Sequence, residues 1–166
     1  METSASNFKF ILGCDHAGFE LKEIIKKYLI SKKFNIEDVG SFTPERCDYP
    51  DLAEKLSIEV IKNKFHRGIL VCGSGIGISI AANKFKGIRC GLVHDNYTVK
   101  KALEENYCNV ISLGGRILGE KLALSLVDVF VAHGEFVEDE KYKNKLKDFE
   151  ALEAWIGSIN FVKFFF

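Results

Sequence analysis

Five times along this chain, a short apolar run that reads as a strand is followed by a stretch whose apolar residues recur at helical spacing. The strands are expected over Phe8 to Gly13, Phe34 to Val39, Gly68 to Cys72, Ile88 to Val93 and Val110 to Leu113. Between the first two, Leu21, Ile24, Ile25, Tyr28 and Leu29 mark one helix face. Ala53, Leu56, Val60 and Ile61 mark a second, Gly75 to Lys84 is a helix of small residues, and Tyr97 to Asn106 is another. Leu122, Ala123, Leu126, Val127 and Phe130 stripe the next. A charged segment from Glu138 leads into a last helix ending near Trp155. Gly40 to Pro50, with Ser, Thr, Asp and both prolines of the chain, is expected to be a loop.

Such alternation predicts a five-stranded parallel α/β sheet with helices on both faces. In sheets of this kind a ligand sits beyond the carboxyl ends of the strands. The unusual residues fall there: Cys14-Asp15-His16 after the first strand, Cys72-Gly73-Ser74-Gly75 after the third, His94-Asp95 after the fourth and Gly114-Gly115-Arg116 after the fifth. At 166 residues the expectation is one domain over 8–157, with a polar lead-in over 1–7 and an aromatic tail over 158–166.

Composition excludes several partners. Acidic and basic side chains balance at 23 each, which speaks against a nucleic-acid surface or an anionic membrane. No apolar run approaches the roughly 20 residues of a membrane helix. Met1 to Asn7 lacks the basic and apolar regions of a signal peptide. Cys14, Cys47, Cys72, Cys90 and Cys108 are odd in number and scattered, so they are neither a disulfide framework nor a zinc site. Most are expected to be small core residues of a cytoplasmic protein.

One cysteine asks for more. In Val71 to Ser79, V-C-G-S-G-I-G-I-S, glycines at a strand end free backbone N–H groups to face an anion, and a helix start adds its positive end. A tight strand-to-helix turn without a ligand is the plain alternative. A dinucleotide site would put such a loop after the first strand, with an acidic residue about 20 positions on; here position 92 is Leu. The Walker ending Gly-Lys-Ser/Thr is absent, and no arginine stands about six residues after Cys72 or Cys14 to clamp a phosphate as in cysteine phosphatases. What remains is a thiol at the mouth of an anion hole. A thiolate beside backbone donors suits proton abstraction next to a carbonyl, through an enediolate, with no metal or nicotinamide required. That is the chemistry of aldose–ketose isomerisation. In G-C-D-H-A-G-F-E, Gly13 to Glu20, Asp15 can cap the first helix, and His16 beside it suggests a polar pocket wall.

These residues also carry a resemblance. Gly13 to Phe19, Asp48-Tyr49-Pro50, the thirteen residues from Cys72 to Lys84 and Gly87-Ile88-Arg89 together resemble the type B ribose-5-phosphate isomerases. That group includes galactose-6-phosphate and allose-6-phosphate isomerases. The resemblance runs from about Phe8 to about Trp155. It implies a Rossmann-like domain, no cofactor, and a homodimer (or tetramer) whose active sites draw on two subunits. It implies Cys72 as the base, Asp15 and His16 on sugar hydroxyls, Tyr49 lining the pocket, and Gly73, Ser74, Gly75, Ile76 and Gly77 as the anion hole. Asn106 and Arg116 match ligand-contact positions.

Departures are equally specific. Where the family has a histidine as the acid that opens the sugar ring, this chain has Glu105. A solvated glutamate, with a pKa of about 4.3, is ionised near neutrality and cannot donate. Burial near Glu104, Asp95 or the substrate phosphate, transfer of the role to His94, or slow ring opening are the alternatives. Two phosphate-gripping arginines align with Lys141 and Lys145, which hold phosphate only as point charges and alternatively form a solvated helix face. The reading is interconversion of ribose 5-phosphate and ribulose 5-phosphate. A six-carbon sugar phosphate (galactose or allose 6-phosphate), or sugar-phosphate binding without catalysis, are the rivals.

Overall fold

The computed structural model describes residues 9–63, 66–133 and 140–158. The lead-in over 1–7 and all of the aromatic tail but its first residue lie outside the described residues. Two compact units divide the chain, Met1–Glu135 and Phe136–Phe166.

In the first unit the order is β1 (Phe10–Cys14), α1 (Phe19–Ser31), β2 (Ile36–Asp38), α2 (Tyr49–Ile61), β3 (Arg67–Cys72), α3 (Ile76–Ala82), β4 (Cys90–Leu92), α4 (Asn96–Glu104), β5 (Val110–Gly114) and α5 (Glu120–Ala132). The strands form one parallel sheet in the order β2-β1-β3-β5-β4. The central three, FILGC, RGILVC and VISLG, are buried along their whole length, as strands covered on both faces must be. The outer strands β2 and β4 are three residues each and partly exposed, which keeps the open edges short. Helices α2 and α3 pack together on one face, while α1, α4 and α5 pack on the other. Phe10 anchors the second layer, edge-on to Phe34 at 5.4 Å between ring centres and tilted against Phe130 at 6.1 Å. Large buried rings of this kind contribute about 1.5–3 kcal/mol each.

After β1 the chain turns outward to β2, then crosses back to lay β3 on the opposite side of β1. The carboxyl ends of β1 and β3 are therefore the topological switch point, where a crevice opens in such sheets. Cys14 pairs with Val71 there, one residue short of Cys72.

Some boundaries move. The loop expected over 40–50 ends early, because Tyr49 and Pro50 already open α2. Proline at a first helical turn loses no hydrogen bond and arrives with a helical φ. The helix expected over 75–84 is confined to Ile76–Ala82. Asn83 instead turns its amide onto β4, donating to the Cys90 carbonyl and accepting from the Cys90 N–H, both at 2.8 Å. Asp95 belongs to helix architecture: its Oδ1 accepts from Thr98 N–H at 2.7 Å, and Thr98 Oγ1 accepts from Asp95 N–H at 3.2 Å, a complete capping box for α4.

The second unit contains α6 (Glu140–Ser158), whose charged sequence leaves most of its described surface exposed. No helix among the described residues is long and apolar enough to cross a membrane.

Candidate active site

At the end of β3, Cys72 is buried, and its Sγ accepts the Gly75 N–H at 3.1 Å. The turn that delivers this donor needs glycine. Gly75 has φ of 80°, and a Cβ there would lie 2.5 Å from Leu92 Cδ1 and 3.1 Å from the Leu113 carbonyl carbon. The Ile76 N–H goes to Ser74 Oγ at 3.3 Å. Among the described residues, the N–H groups of Ser74, Gly77 and Ile78 make no hydrogen bond within the chain. They are donors aimed out of the loop and first turn that carry Cys72, as the start of a helix requires.

Three walls surround this loop. Gly115 N–H donates to the Cys72 carbonyl at 2.7 Å and Arg116 N–H to the Gly73 carbonyl at 3.0 Å, joining the end of β5 to the end of β3. The exposed Arg116 side chain then lies along Gly73: a Cβ there would sit 3.5 Å from its Cδ and 3.7 Å from one guanidinium nitrogen. Tyr49, at the start of α2, lays its ring on Gly77, where an added Cβ would meet Cζ at 2.8 Å. From β4, half-buried His94 sets Nε2 3.3 Å from the Ser74 carbonyl. That nitrogen carries the proton, so Nδ1 is the acceptor in the neutral ring.

On the β1 side, Asp15 is buried, and its Oδ1 accepts both Ala17 N–H at 2.9 Å and Gly18 N–H at 3.0 Å. These bonds close the turn ahead of α1, whose N-cap is Gly18 without a side-chain cap, so Asp15 shapes the turn and does not cap the helix as the sequence suggested; among the described residues no bond is made by Oδ2. His16 Nδ1 donates to the Cys47 carbonyl at 3.3 Å, tying the β1 end to the loop before α2.

Three of the other four cysteines, Cys14, Cys90 and Cys108, are buried as well, while Cys47 is half-buried. Burial pushes the Cys14 thiol up to about 12, against the pull of nearby Lys22. It pushes Cys108 up to about 11, and Cys90, enclosed in the core, higher still. These three are core thiols.

Glu105 and Asn106 are not brought to this crevice within one chain. Helix α4 starts at the carboxyl edge of the sheet and runs its nine residues, about 13 Å, back towards the edge where β5 begins. There Glu105 is exposed and ion-paired to Lys101, while the Asn106 amide donates to the Lys101 carbonyl at 3.0 Å and closes the helix end. Glu104 is exposed too, and Asp95 stands at the opposite end of the helix, so the burial imagined for Glu105 is not supplied by them. Lys141 and Lys145 lie on α6, in the second unit; Lys141 is exposed and Lys145 partly so.

Sequence reasoning missed the buried cation Lys22 on α1, whose side chain is fully enclosed. The signal was present: Lys22, Ile25 and Leu29 are spaced three and four apart, on the buried stripe.

The model of the Ribose/Galactose Isomerase family matches residues 10–149. A ribose-5-P isomerase B of Listeria innocua is 42% identical over 123 residues, 74% of this chain and 83% of that protein. A D-erythrulose-4-phosphate isomerase of Pectobacterium atrosepticum is 39% identical over 122 residues, 72% of this chain and 80% of that protein. A galactose-6-phosphate isomerase subunit of Clostridium acetobutylicum is 37% identical over 143 residues, 86% of this chain and 79% of that protein. Among solved structures, a ribose 5-phosphate isomerase of Thermotoga maritima superposes with a TM-score of 0.79 at 38% identity, covering 87% of this chain and 99% of that one. With its Rossmann-like sheet, its cysteine-headed glycine loop and matches of this length, the chain belongs to the ribose/galactose isomerase family.

Proposed function

We propose that this protein interconverts ribose 5-phosphate and ribulose 5-phosphate, with Cys72 as the base. The observation that carries the reading is the buried Cys72 sulfur, held at 3.1 Å by the Gly75 N–H at the switch point between β1 and β3. The Cys72 thiolate takes the proton from C2 of the open aldose. The bonding pair moves into a C1–C2 double bond, and the C1 carbonyl becomes the enediolate oxygen. Return of the proton to C1, with transfer of the O2 proton to O1, completes the ketose. Donors of Gly73–Gly77 stabilise the developing oxyanion, and Asp15, His16 and Tyr49 hold the sugar chain. Arg116, lying along Gly73, offers a forked cation to the anionic substrate.

A homodimer with shared sites fits the same geometry. Glu105 and Asn106 stand at the edge of the sheet away from their own Cys72, so they serve a site only when a second copy supplies them. Ring opening needs a proton donor, and here one observation favours a second reading over Glu105. His94 sits within the crevice with Nε2 on the Ser74 carbonyl, and as an imidazolium it would donate from Nδ1, while Glu105 is exposed and neutralised by Lys101. Lys141 and Lys145 are proposed to bind the phosphate; alanine at either raises KM about tenfold at low salt, the worth of one charged hydrogen bond, and unchanged constants return them to a solvated face. The five free cysteines support a reducing, cytoplasmic setting.

Relatives named for four-, five- and six-carbon substrates make a substrate panel the deciding experiment. Initial rates with erythrulose 4-phosphate, ribose 5-phosphate, ribulose 5-phosphate, galactose 6-phosphate and allose 6-phosphate, with aldose and ketose products quantified, should give the highest kcat/KM for the five-carbon pair. A higher value for a four- or six-carbon sugar replaces the substrate and keeps the chemistry. No turnover of any of them overturns the enzyme reading.

A further inference from the structure

Lys22 lies outside the crevice, yet it is the most completely enclosed charge among the described residues. Its ammonium is within 2.7 Å of Asp38 Oδ2, 2.7 Å of Glu23 Oε1 and 2.9 Å of the Ser41 carbonyl, so its three protons meet three acceptors. The Phe19 and Phe42 rings stand 5.5 Å and 5.6 Å from it, close enough for cation–π attraction. Lys26 adds a second cation to Asp38 Oδ2 at 2.7 Å, and Asp38 Oδ1 accepts the Gly40 N–H at 2.9 Å. Burial by itself drives an ammonium towards its neutral form; the bonds to Asp38 and Glu23 outweigh it and hold Lys22 above its ordinary value. A buried ion pair is a poor device for stability, because desolvation offsets most of the attraction. Its geometry suggests another use.

The carbonyl that Lys22 holds belongs to the loop over 40–48, and that loop runs from β2 to the site. At its near end, Gly40 and Ser41 are bonded to Cys14, with Cys14 N–H to the Gly40 carbonyl at 2.6 Å and Ser41 N–H to the Cys14 carbonyl at 2.7 Å. At its far end the Cys47 carbonyl takes the His16 proton, and one residue beyond Asp48 the Tyr49 ring covers Gly77. Thr43 to Arg46, between these anchors, are exposed. We propose that Lys22 is a positioning residue: its ammonium clamps the start of the loop over 40–48 and so sets His16 and Tyr49 against the glycine loop of Cys72. This inference rests on the isomerase reading for its kinetic consequence, but the clamp itself is testable without substrate.

Two variants separate positioning from stability. Lys22→Met keeps the apolar stem and removes the three bonds, leaving Asp38 with Lys26 alone. Lys22→Met/Asp38→Asn removes both buried charges, so stability should return while the Ser41 carbonyl stays without its clamp. At a temperature well below either melting point, KM for ribose 5-phosphate should rise about tenfold in both variants, the worth of a charged hydrogen bond, with kcat changed less than threefold. Trypsin cleavage after Arg46 under native conditions, read by mass spectrometry, should also quicken about tenfold in both, since it tracks local opening. A KM that recovers in the double variant, or wild-type cleavage at Arg46 in it, overturns the proposal. If Lys22→Met does not fold, the double variant decides alone. If wild type turns over no sugar phosphate, the isomerase reading falls and the cleavage rate still judges the clamp.

Discussion

The two edges of the sheet use polar side chains in opposite ways. At the carboxyl edge, His16 and His94 are bonded to the Cys47 and Ser74 carbonyls of other loops and tie separate elements into one crevice, while Asp15 and Cys72 accept N–H groups of the turns that carry them. At the other edge, Glu105 and Asn106 are bonded to Lys101 of their own helix. Lysine–carboxylate pairs repeat the contrast. Lys22 and Asp38 have side chains 0% and 8% exposed and join α1 to β2, while Lys101 and Glu105 are 37% and 52% exposed and lie one turn apart. The lesson is that a residue matched to a family's ligand position acquires that role only where the fold delivers it; within one chain, Glu105 is a helix-end residue.

The largest effect that would sharpen this contrast is expected at Gly75. Alanine there must adopt φ of 80° and push Leu92 and the Leu113 backbone away. Strain of about 1–3 kcal/mol should lower Tm by on the order of 5 °C. It should also lower kcat/KM by at least about 10²-fold, since the loop that loses its shape aims the donor at Cys72 and the donors at the oxyanion. A variant with wild-type kcat/KM would detach the glycine loop from the chemistry.

At the opposite edge effects should be small and selective. Glu105→Gln removes an exposed i,i+4 pair, worth about 0.3–0.5 kcal/mol, and should leave both reaction directions within twofold. Glu105→His offers an acid with a pKa of about 6.5. In a shared site it should raise turnover only from freshly mixed ribose 5-phosphate, which must open its ring, and not from ribulose 5-phosphate. His94→Gln should lower the ribose direction alone. An equal gain in both directions for Glu105→His, or no loss for His94→Gln, would break the division of roles.

Much of the carboxyl edge was legible because its signals are local. Each strand run is followed at once by its unusual residues, as in Val71 to Ser79, and strand direction alone places them at one edge. Tyr49 was harder: Pro50 reads as a loop residue, and only the helix that follows reveals it as a first-turn proline. Lys22 stayed hidden because a lysine between Leu21 and Glu23 resembles a solvent-facing residue, although its spacing to Ile25 and Leu29 places it on the buried stripe. Glu105 was identified by alignment with a motif, which carries no direction. That α4 runs antiparallel to the strands is what removes Glu105 from its own crevice.

The central claim is that the Cys72 sulfur moves the proton. Its most direct test is turnover of ribulose 5-phosphate by Cys72→Ala, measured beside calorimetric binding of the same sugar phosphate. Loss of the base should lower kcat by 10²–10⁴-fold, about the worth of a general base, while Kd stays within about threefold because the glycine loop, Arg116 and the β1 wall remain. A variant that binds and turns over at near wild-type rates would contradict the account.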